Sequence, residues 1–575
     1  MKKKGADSVI EALEKAGVDT IFGIPGGSVL DIFARLYHAP FRFVLARHEQ
    51  GATHMADGYA RASGKVGCCI ATSGPGATNT VTGLATANMD GIPLVCLTGQ
   101  VPSGMIGNDA FQEADTTGIT RTVTKHNYLV KDVRDLPRTI VEAFHVAASG
   151  KPGPVVVDIP KDIQQADTDV VPPALSEIDI RGYKPSATGH PRQISRLAQA
   201  INKSRKPLIY AGGGIISSGA SEELTALART ARIPVTTTLL GLGAFPETDP
   251  LALRMLGMHG SVAANRAVSG CDLLISAGAR FDDRVTGKIS EFAPHAVKAH
   301  IDIDPSAIDK SVKTDIPVVG DVKHVLSKLA GQVEQTDRSE WLEETGAWQK
   351  DYPFDYDRST TDMVPQHVVE ELYNVTDGNA VVVTDVGQHQ MWAAQFYKYT
   401  RPRTFLSSGG LGTMGYGLPA AIGAQTAVPD ATVIAIAGDG SIQMNFQELV
   451  VAVEHCLPIN IVILNNGYLG MVRQWQEMFY NNECSATRLG QSMRSKMEKL
   501  TAKSGGYLPD FVKLAEAHGA AGVRVTEKEK LNDALTEAIN TNGPVVVECM
   551  VRENENVYPM VPPGASLMEM IQSMA

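Results

Sequence analysis

The feature that most restricts the fold is one continuous stretch, residues 431–476, ATVIAIAGDGSIQMNFQELVVAVEHCLPINIVILNNGYLGMVRQWQ. Residues 432–437 are apolar and rich in β-branched side chains, which predicts a strand buried on both faces. After a Gly-Asp-Gly turn, residues 443–455 carry apolar side chains at helical spacing, and residues 460–464 form a second buried strand. This pattern predicts a right-handed crossover that joins two parallel strands.

Polar side chains follow both predicted strands. Because parallel strands end at the same edge of a sheet, Asp439 and Asn466 should lie close together where open α/β sheets bind ligands. A carboxylate and an amide oxygen suit Mg²⁺ or Ca²⁺, and the helix that begins near Ser441 offers free N–H groups to phosphate. Gly-Asp-Gly alone is also an ordinary turn, but here 24 residues separate Gly440 from Asn465, each after a buried strand. The pair predicts a diphosphate bridged to the protein by a divalent cation.

Length and composition narrow the class of protein. A chain of 575 residues corresponds to about two to four domains. Its net charge of −11 argues against a nucleic-acid partner, and no apolar run is long enough to predict a membrane span. Seven cysteines without a Cys-x-x-Cys motif predict neither disulfides nor a zinc site, and the basic first residues lack the apolar segment of a signal peptide. We therefore expect a reducing, cytoplasmic location.

Alternating predicted strands and helices divide the chain into three α/β units. Residues 1–165, 191–340 and 365–575 are each expected to form a doubly wound parallel sheet. Residues 166–190 contain Pro and Ser without periodicity, and residues 341–364 are richer in aromatic side chains. Both of these segments are predicted linkers.

In the first unit, Glu49 follows a predicted strand at 41–46. A Glu in the first turn of a helix ordinarily interacts favourably with the helix dipole. The sequence SGPGATN at 73–79, after a predicted strand at 66–72, is typical of a tight strand-to-helix turn. Taken singly, neither feature identifies a function.

The central unit has glycines at the ends of three predicted strands. Gly212-Gly213-Gly214 follows one strand, Gly278 follows another, and Gly320 ends a third. These strand ends favour a dinucleotide-like ligand, although the usual G-x-G-x-x-G is missing. A cofactor-free spacer domain is the open alternative.

Taken together, the motifs resemble the acetohydroxyacid synthase (acetolactate synthase) family, a group of thiamin-diphosphate enzymes, over nearly the whole chain. The paired GDG and NN motifs are similar to the thiamin-diphosphate signature. The other matching motifs are PGG (25–27), RHEQGA (47–52), TSGPGATN (72–79), GQVP (99–102), DAFQEAD (109–115), MLGMHG (255–260), RFDDRVTG (280–287), GQHQMW (387–392), GGLGTMGYGLPAA (409–421) and GMVRQWQ (470–476).

The resemblance implies pyrimidine-binding, FAD-binding and diphosphate-binding domains, in chain order. It implies thiamin diphosphate, Mg²⁺ and FAD as cofactors, and pyruvate and 2-ketobutyrate as substrates. The products would be 2-acetolactate and 2-aceto-2-hydroxybutyrate, precursors of branched-chain amino acids, with no net redox part for FAD. It also implies homodimers or homotetramers whose sites lie between the first domain of one chain and the third of another. A separate small regulatory subunit is a further implied partner.

Site residues are implied at the matching positions. Glu49 would activate the aminopyrimidine, with Gln112 and Lys161 at the reacting centre. Arg284 would bind the carboxylate of the second substrate and Trp475 its alkyl group, next to Phe111 and Met258. Thiamin diphosphate would contact Gly26, Gly27, Val386, Gly387, Gln388, His389, Gly412, Met414, Gly438, Gly440, Ser441, Met444 and Gly470. FAD would contact Lys151, Gly212, Gly213, Gly214, Met258, His259, Gly278, Arg280, Asp282, Asp302 and Asp321. The Mg²⁺ ligands would be Asp439, Asn466 and the main-chain oxygen of Tyr468.

The sequence departs from the family pattern at two places, and three alternative functions remain open. Family members commonly have Arg where this chain has Lys151, so the charge is kept but the planar fork is lost. The basic, polar segment 486–504 is longer than the family's usual loop. The alternatives are an FAD-free catabolic acetolactate synthase, a thiamin enzyme such as pyruvate oxidase or glyoxylate carboligase, and a non-catalytic homologue.

Overall fold

The computed structural model describes residues 2–490 and 508–573. It contains three six-stranded sheets, one in each predicted α/β unit, and a two-stranded antiparallel ribbon. Neighbouring strands within each large sheet are parallel. Apolar helix faces cover the sheets and form the buried cores. The prediction of three doubly wound parallel sheets is confirmed.

The first sheet has the strand order β3-β2-β4-β5-β7-β6. Its order reverses between β2 and β4, and such a switch point is where open sheets bind ligands. The elements of this unit are β1 (Lys3–Lys4), α1 (Gly5–Lys15), β2 (Thr20–Gly23), α2 (Leu30–Leu36), β3 (Arg42–Leu45), α3 (Glu49–Ser63), β4 (Gly67–Ala71), α4 (Pro75–Asn79), α5 (Val81–Asp90), β5 (Leu94–Gln100), α6 (Thr116–Thr120), β6 (His126–Leu129), α7 (Leu136–Ala148), β7 (Pro154–Pro160), α8 (Lys161–Gln165) and β8 (Asp167–Thr168).

The central sheet has the strand order β11-β10-β9-β12-β13-β14. Numbered within the domain this is 3-2-1-4-5-6, the order of dinucleotide-binding sheets, with its switch point between β9 and β12. The elements are α9 (Pro191–Lys203), β9 (Pro207–Ala211), α10 (Gly213–Ser217), α11 (Ser221–Ala231), β10 (Val235–Thr237), β11 (Ala252–Met255), α12 (Val262–Gly270), β12 (Leu273–Ala277), α13 (Asp283–Thr286), β13 (Val297–Asp302), β14 (Ile316–Val319), α14 (Val322–Ala330) and α15 (Ser339–Asp351).

The third sheet repeats the order of the first, β16-β15-β17-β18-β20-β19, with its switch point between β15 and β17. The elements are α16 (Pro365–Thr376), β15 (Val381–Thr384), α17 (Gln388–Phe396), β16 (Phe405–Leu406), α18 (Gly417–Ala427), β17 (Val433–Gly438), α19 (Asp439–Ile442), α20 (Leu449–Glu454), β18 (Ile459–Asn465), α21 (Gly470–Phe479), α22 (Phe511–Ala517), β19 (Ala521–Val525), α23 (Leu531–Asn540) and β20 (Val545–Met550). β17 and β18 are parallel neighbours, with Gly438 opposite Leu464, as the opening motif predicts.

The prediction of one continuous helix over 443–455 is wrong. The chain forms the short helix α19, then a 3₁₀ turn at Phe446–Glu448, then α20. Asn445 interrupts the helix because its side-chain amide donates to the Gly415 carbonyl at 2.7 Å, and its backbone has φ −138° and ψ 29°. A tertiary hydrogen bond has replaced the local helical one.

Parts of the predicted linkers are ordered elements. Within 166–190, β8 pairs with β1 at the start of the chain. Within 341–364, most of the first half belongs to α15, whose buried Trp341 donates from Nε1 to the Pro207 carbonyl at 3.0 Å. Of the segment 486–504, residues 491–504 lie outside the described residues.

The first and third units pack against each other through α3 and α18. Gly58 of α3 lies so close to α18 that an added Cβ would be 2.1 Å from the Ala420 carbonyl oxygen. Tyr416, at the start of α18, donates its hydroxyl to buried Asp57 at 2.7 Å. The helix that begins at Glu49 is thereby fixed to the third domain of its own chain. Among the described residues, no helix is long and apolar enough to cross a membrane.

Candidate active site

Asp439 and Asn466 lie at the carboxyl edge of the third sheet, directly after β17 and β18. The Asp439 carboxylate is buried, and its Oδ2 accepts a hydrogen bond from the Gly467 N–H at 2.9 Å. Asn466 Oδ1 accepts from the Tyr468 N–H at 3.0 Å. Burial raises the pKa of Asp439 to about 7, although backbone N–H groups reach the carboxylate. A desolvated carboxylate that meets only backbone donors fits a bound cation.

The oxygen atoms of Asp439, Asn466 and Tyr468 suit a cation that a bound ligand also coordinates. Within residues 2–490 and 508–573, no three His, Cys, Asp or Glu side chains form a metal-binding group. One carboxylate, one amide and one main-chain carbonyl leave octahedral positions open for phosphate oxygens and water, as Mg²⁺ prefers. The predicted ligands Asp439, Asn466 and Tyr468 are therefore compatible with Mg²⁺ beside a diphosphate.

Gln388 and His389 begin α17 at the switch point of the same sheet. Burial lowers the pKa of His389 to about 3, and its Nε2 is a buried atom without a hydrogen-bond partner in the structure. A Cβ added at Gly438 would lie 2.9 Å from the His389 ring, so this imidazole is packed beside the start of α19. Gln388 donates to the Glu555 carbonyl at 2.9 Å. The His389 ring can donate to a phosphate oxygen at this edge when Nε2 carries the proton.

The predicted residues of the first unit lie at the carboxyl edge of the first sheet. Glu49 is the first residue of α3, and its Oε2 accepts from the Asn79 side-chain amide at 2.9 Å. Lys161, directly after β7, donates from Nζ to the Gly27 carbonyl at 3.1 Å, so it lies beside the Gly26-Gly27 turn. Phe111 and Gln112 occupy a neighbouring loop, with the Phe111 side chain 88% exposed.

Glu448 of the third domain reaches the start of α3, which the sequence does not predict. Its buried carboxylate accepts from the Arg47 N–H at 3.2 and 3.1 Å through its two oxygens. Burial raises the pKa of Glu448 to about 7, and the negative charge of nearby Glu49 adds to the shift. The one signal in the sequence that could have indicated Glu448 is an acidic residue within a predicted apolar helix.

A cavity of about 850 Å³ lies between the three domains. It begins at the switch point of the central sheet, where an added Cβ at Gly214 would be 2.7 Å from the Gly278 Cα, so the two turns meet backbone to backbone. The predicted FAD-contacting residues that line it are Lys151, Gly213, Gly214, Met258, His259, Gly278, Arg280, Asp282, Asp302 and Asp321. Gly212 does not line the cavity, because it packs against the Gly278 carbonyl. Size, lining and strand order together fit an extended dinucleotide.

The same cavity continues to the third domain. Val386, Gly387, Gly412 and Met414, predicted to contact thiamin diphosphate, line its far end. Trp475 of α21 and Arg284 of the central domain line it as well, and the Arg284 guanidinium lies 5.6 Å from the centre of the Trp475 ring. The structure therefore brings the predicted flavin, thiamin and second-substrate residues to one continuous space.

Another group of predicted residues does not line this cavity. Its members are Glu49, Phe111, Gln112, Lys161, Gly26 and Gly27 of the first domain, and Gln388, His389, Gly438, Asp439, Gly440, Ser441, Met444, Asn466, Tyr468 and Gly470 of the third. Phe111 is 88% exposed and Met444 is 53% exposed, although both side chains are apolar. Within one chain, the two sheet edges thus present separate half-sites with uncovered apolar side chains.

The cavity also contains a buried ion pair that the sequence does not single out. Arg61 of α3 lies 2.8 Å from Asp90, and both line the cavity. Asp90 also accepts from the Gly410 N–H at 2.7 Å, so it holds the glycine-rich segment before Gly412. Burial raises the pKa of Asp90, and the charge of Arg61 opposes that shift.

Comparison with known proteins matches all three sheets to one class of enzyme. Residues 3–119 match the thiamine pyrophosphate enzyme N-terminal TPP binding domain, residues 194–329 the central domain, and residues 385–549 the C-terminal TPP binding domain. The acetolactate synthase large subunit of Corynebacterium glutamicum is 49% identical over 570 residues, covering 98% of this chain and 89% of the relative. The chain belongs to the acetolactate synthase family. The acetolactate synthase isozyme 3 large subunit of Escherichia coli is 45% identical, covering 98% of each chain. Chloroplastic acetolactate synthase 1 of Oryza sativa is 48% identical, covering 99% of this chain and 88% of the relative.

The matches identify the first and third units of this acetolactate synthase family member as TPP binding domains. The N-terminal TPP binding match contains Glu49 and Gln112, and the C-terminal match contains Asp439 and Asn466. The expectation of a thiamin enzyme, drawn from the paired GDG and NN motifs, is confirmed.

Proposed function

We propose that the chain condenses two 2-keto acids, releasing one CO₂. Two pyruvates give 2-acetolactate, and pyruvate with 2-ketobutyrate gives 2-aceto-2-hydroxybutyrate, in branched-chain amino-acid biosynthesis. The observation that carries this proposal is the continuous cavity between the central switch point and Gly412, Met414, Arg284 and Trp475. In an FAD-free catabolic acetolactate synthase, the part of this cavity that the central domain lines would have no cofactor to bind.

Thiamin diphosphate, when bound, supplies a carbon that attacks a keto acid and stabilises the negative charge left by decarboxylation. In our proposal the Glu49 carboxyl holds a proton at the far ring nitrogen of the aminopyrimidine, oriented by Asn79. Asp439, Asn466 and the Tyr468 carbonyl hold Mg²⁺, while His389 Nε2, Gln388 and the start of α19 hold the diphosphate. Gln112 and Lys161 act at the reacting centre.

We propose that Arg284 and Trp475 together select the second substrate. The guanidinium offers a planar fork to a carboxylate, and the indole face beside it offers apolar contact to the alkyl group. A larger alkyl group buries more apolar area against the ring, so 2-ketobutyrate would be preferred to pyruvate.

FAD is proposed as the ligand of the central part of the cavity. The glycine turns after β9 and β12 allow the protein backbone to lie close to the ligand. Lys151, Arg280 and the Asp side chains at the strand ends would provide polar contacts. No step of the proposed reaction oxidises or reduces a substrate, so FAD has a structural part.

The complete active site is proposed to form between two chains. Exposed apolar side chains at both half-sites, Phe111 in the first domain and Met444 in the third, support this arrangement because each would be covered by a partner copy. We propose a homodimer, or a homotetramer built from such dimers, and a small regulatory subunit as a further partner.

The test supplies purified protein with pyruvate, with and without 2-ketobutyrate, in the presence of thiamin diphosphate and Mg²⁺, and with and without FAD. Formation of both hydroxy-keto acids is expected, with activity lost when FAD is removed and regained when it is returned. Full activity in flavin-free protein would favour the catabolic alternative, and O₂ consumption with pyruvate alone would favour an oxidase. Glu49→Gln with undiminished product formation would contradict the proposed role of Glu49.

A further inference from the structure

The loop at residues 107–114, which carries Phe111 and Gln112, has a backbone that must be held in place. Asp109 and Gln112 have φ values of 51° and 60°, in the left-handed region that costs free energy for side chains other than glycine. An added Cβ at Gly74 would lie 2.8 Å from the Gln112 carbonyl oxygen, so the loop also rests tightly on the turn after β4. A strained loop with an 88% exposed Phe111 requires specific anchors.

Gln100, the last residue of β5, anchors the C-terminal end of this loop. Its Nε2 donates to the Ala114 carbonyl at 2.9 Å and to Asp158 Oδ2 at 2.9 Å, while its Oε1 accepts from the Val101 N–H at 2.8 Å. The side chain is buried, so each of these polar atoms needs its partner. The amide can therefore sit in one orientation only, with one N–H directed to the Ala114 carbonyl of the loop and the other to Asp158.

Asp158, in the neighbouring strand β7, fixes that orientation from the other side. Thr98 donates its hydroxyl to Asp158 Oδ1 at 2.6 Å, which leaves Oδ2 to accept from Gln100. Burial raises the pKa of Asp158 to about 7, yet Oδ2 accepts in both protonation states, because the exchangeable proton can lie between Oδ1 and the Thr98 hydroxyl. The single acidic residue of the apolar strand PVVVDIP therefore serves to orient the Gln100 amide.

Glu113 anchors the other end of the loop. Its carboxylate accepts from the Gly107 N–H, and from the Ala110 N–H at 2.9 Å. These backbone hydrogen bonds lower the pKa of Glu113, so it is ionised at neutral pH. Unlike Gln100, it lies at the surface, so its replacement does not disturb the core.

We propose that Gln100 and Asp158 are positioning residues that hold the Phe111–Gln112 loop at the reacting centre. The proposal rests on the function proposed above, because only that function puts Phe111 and Gln112 next to substrate. Neither Gln100 nor Asp158 contacts the substrate; each acts through the Ala114 carbonyl.

The decisive variant is the swap Gln100→Glu with Asp158→Asn in one full-length chain. Its net charge is unchanged. The carboxylate introduced at position 100 can still accept from the Val101 N–H, and the amide introduced at position 158 can donate to that carboxylate. The Ala114 carbonyl, however, loses its donor and faces a carboxylate. The matched control is Gln165→Glu with Asp31→Asn, the swap of an exposed pair in the same domain, where Gln165 Nε2 donates to Asp31 at 3.1 Å.

In the holoenzyme with thiamin diphosphate and Mg²⁺, the swap is expected to lower kcat for acetolactate about ten- to hundredfold, with thiamin diphosphate affinity unchanged. Amide hydrogen exchange of residues 107–114 is expected to rise in the swap variant and stay unchanged in the control. A swap variant with wild-type kcat and wild-type exchange would overturn the proposal. Wild-type protein that forms no acetolactate would refute the proposed function instead, while the exchange measurement would still test the anchor.

If the swap variant does not fold, Glu113→Ala provides the second test. This surface change releases the Gly107 and Ala110 N–H groups without touching the core. It is expected to raise exchange across 107–114 and to lower kcat, and Glu113→Gln, which keeps an acceptor, is expected to recover most of the loss. Glu113→Ala with raised exchange across 107–114 but wild-type kcat would show that the reaction does not depend on how this loop is held, and would overturn the proposal.

Discussion

The Arg284 guanidinium lies 5.6 Å from the centre of the Trp475 ring, although the two residues belong to different domains. Arg284 is in α13 at the central switch point, and Trp475 is in α21, which begins five residues after β18. The helix next to the proposed Mg²⁺ ligand Asn466 therefore also carries the aromatic face beside the proposed carboxylate-binding group. The central and third domains therefore both contribute to the site where we propose that the second substrate is selected.

Replacing Trp475 by Leu is expected to weaken the preference for 2-ketobutyrate. The larger substrate loses apolar contact with the indole, and one methylene in such a pocket is worth about 1–3 kcal/mol, so the product ratio should fall roughly tenfold. The measurement is the ratio of the two hydroxy-keto acids at equal substrate concentrations. Trp348→Leu, in α15 and away from the cavity, is the control; an unchanged ratio in Trp475→Leu would contradict the assignment.

Lys151 is expected to control FAD retention through its charge in the cavity. Lys151→Ala should weaken FAD binding, and Lys151→Arg should equal or exceed the wild type, because a guanidinium restores the planar fork. The flavin content of purified protein after dialysis, read from its visible absorbance, tests this order. Lys184→Ala, an exposed position paired with Asp179, is the control. Equal flavin retention in all four proteins would argue against contact between Lys151 and FAD.

Asp439→Asn is expected to weaken Mg²⁺-dependent binding of thiamin diphosphate by roughly tenfold or more, about 1.4 kcal/mol per tenfold. The change removes the one carboxylate of the proposed cation site while keeping its size. Titration of the cofactor with and without a chelator measures the effect. Asp430→Asn, an exposed position before β17, should bind like the wild type. Equal affinity for Asp439→Asn and wild type would rule out the proposed ligand.

Glu448 is expected to make folding stability depend on pH. Its pKa is raised by burial from 4.5 to about 7, so the folded state binds a proton that the unfolded state has released between these values. Its stabilising contribution is therefore present in full below about pH 4.5 and is lost as pH rises through 7. Relative to Glu448→Gln, the wild type should lose about 1–3 kcal/mol of unfolding free energy across that window. Denaturant midpoints at several pH values test this, with Glu454→Gln as the exposed control; parallel pH profiles for wild type and Glu448→Gln would contradict it.

Local periodicity was sufficient to predict the third-domain edge. The short apolar β-branched runs before Asp439 and Asn466 favour buried parallel strands, and a crossover connection then brings the ends of the two strands to one edge. The same argument did not predict the short strands β6, β10 and β11, whose few residues carry little pattern. The roles of individual side chains came from the family resemblance, since Arg284 and Trp475 are 191 positions apart and no local rule joins them.

Tertiary hydrogen bonds explain what the sequence could not predict. Asn445 ends a periodic helix because Gly415, from another loop, supplies a better partner for its amide. Glu448 and Asp158 are acids inside apolar segments, and their partners at Arg47 and Gln100 are distant in sequence or in another strand. The packing of α3 on α18 likewise depends on contacts between domains.

In the proposed assembly, Glu49 of one chain completes the site built around Asp439 of another. The most direct test co-produces two inactive chains, Glu49→Gln and Asp439→Asn, and measures acetolactate formation by the mixed assembly. If sites form between chains, each mixed dimer has one intact site, so about a quarter of wild-type activity should return in an equal mixture. If each site forms within one chain, every site keeps one mutation. No recovery in a mixture shown to contain mixed dimers would contradict a site shared between two chains.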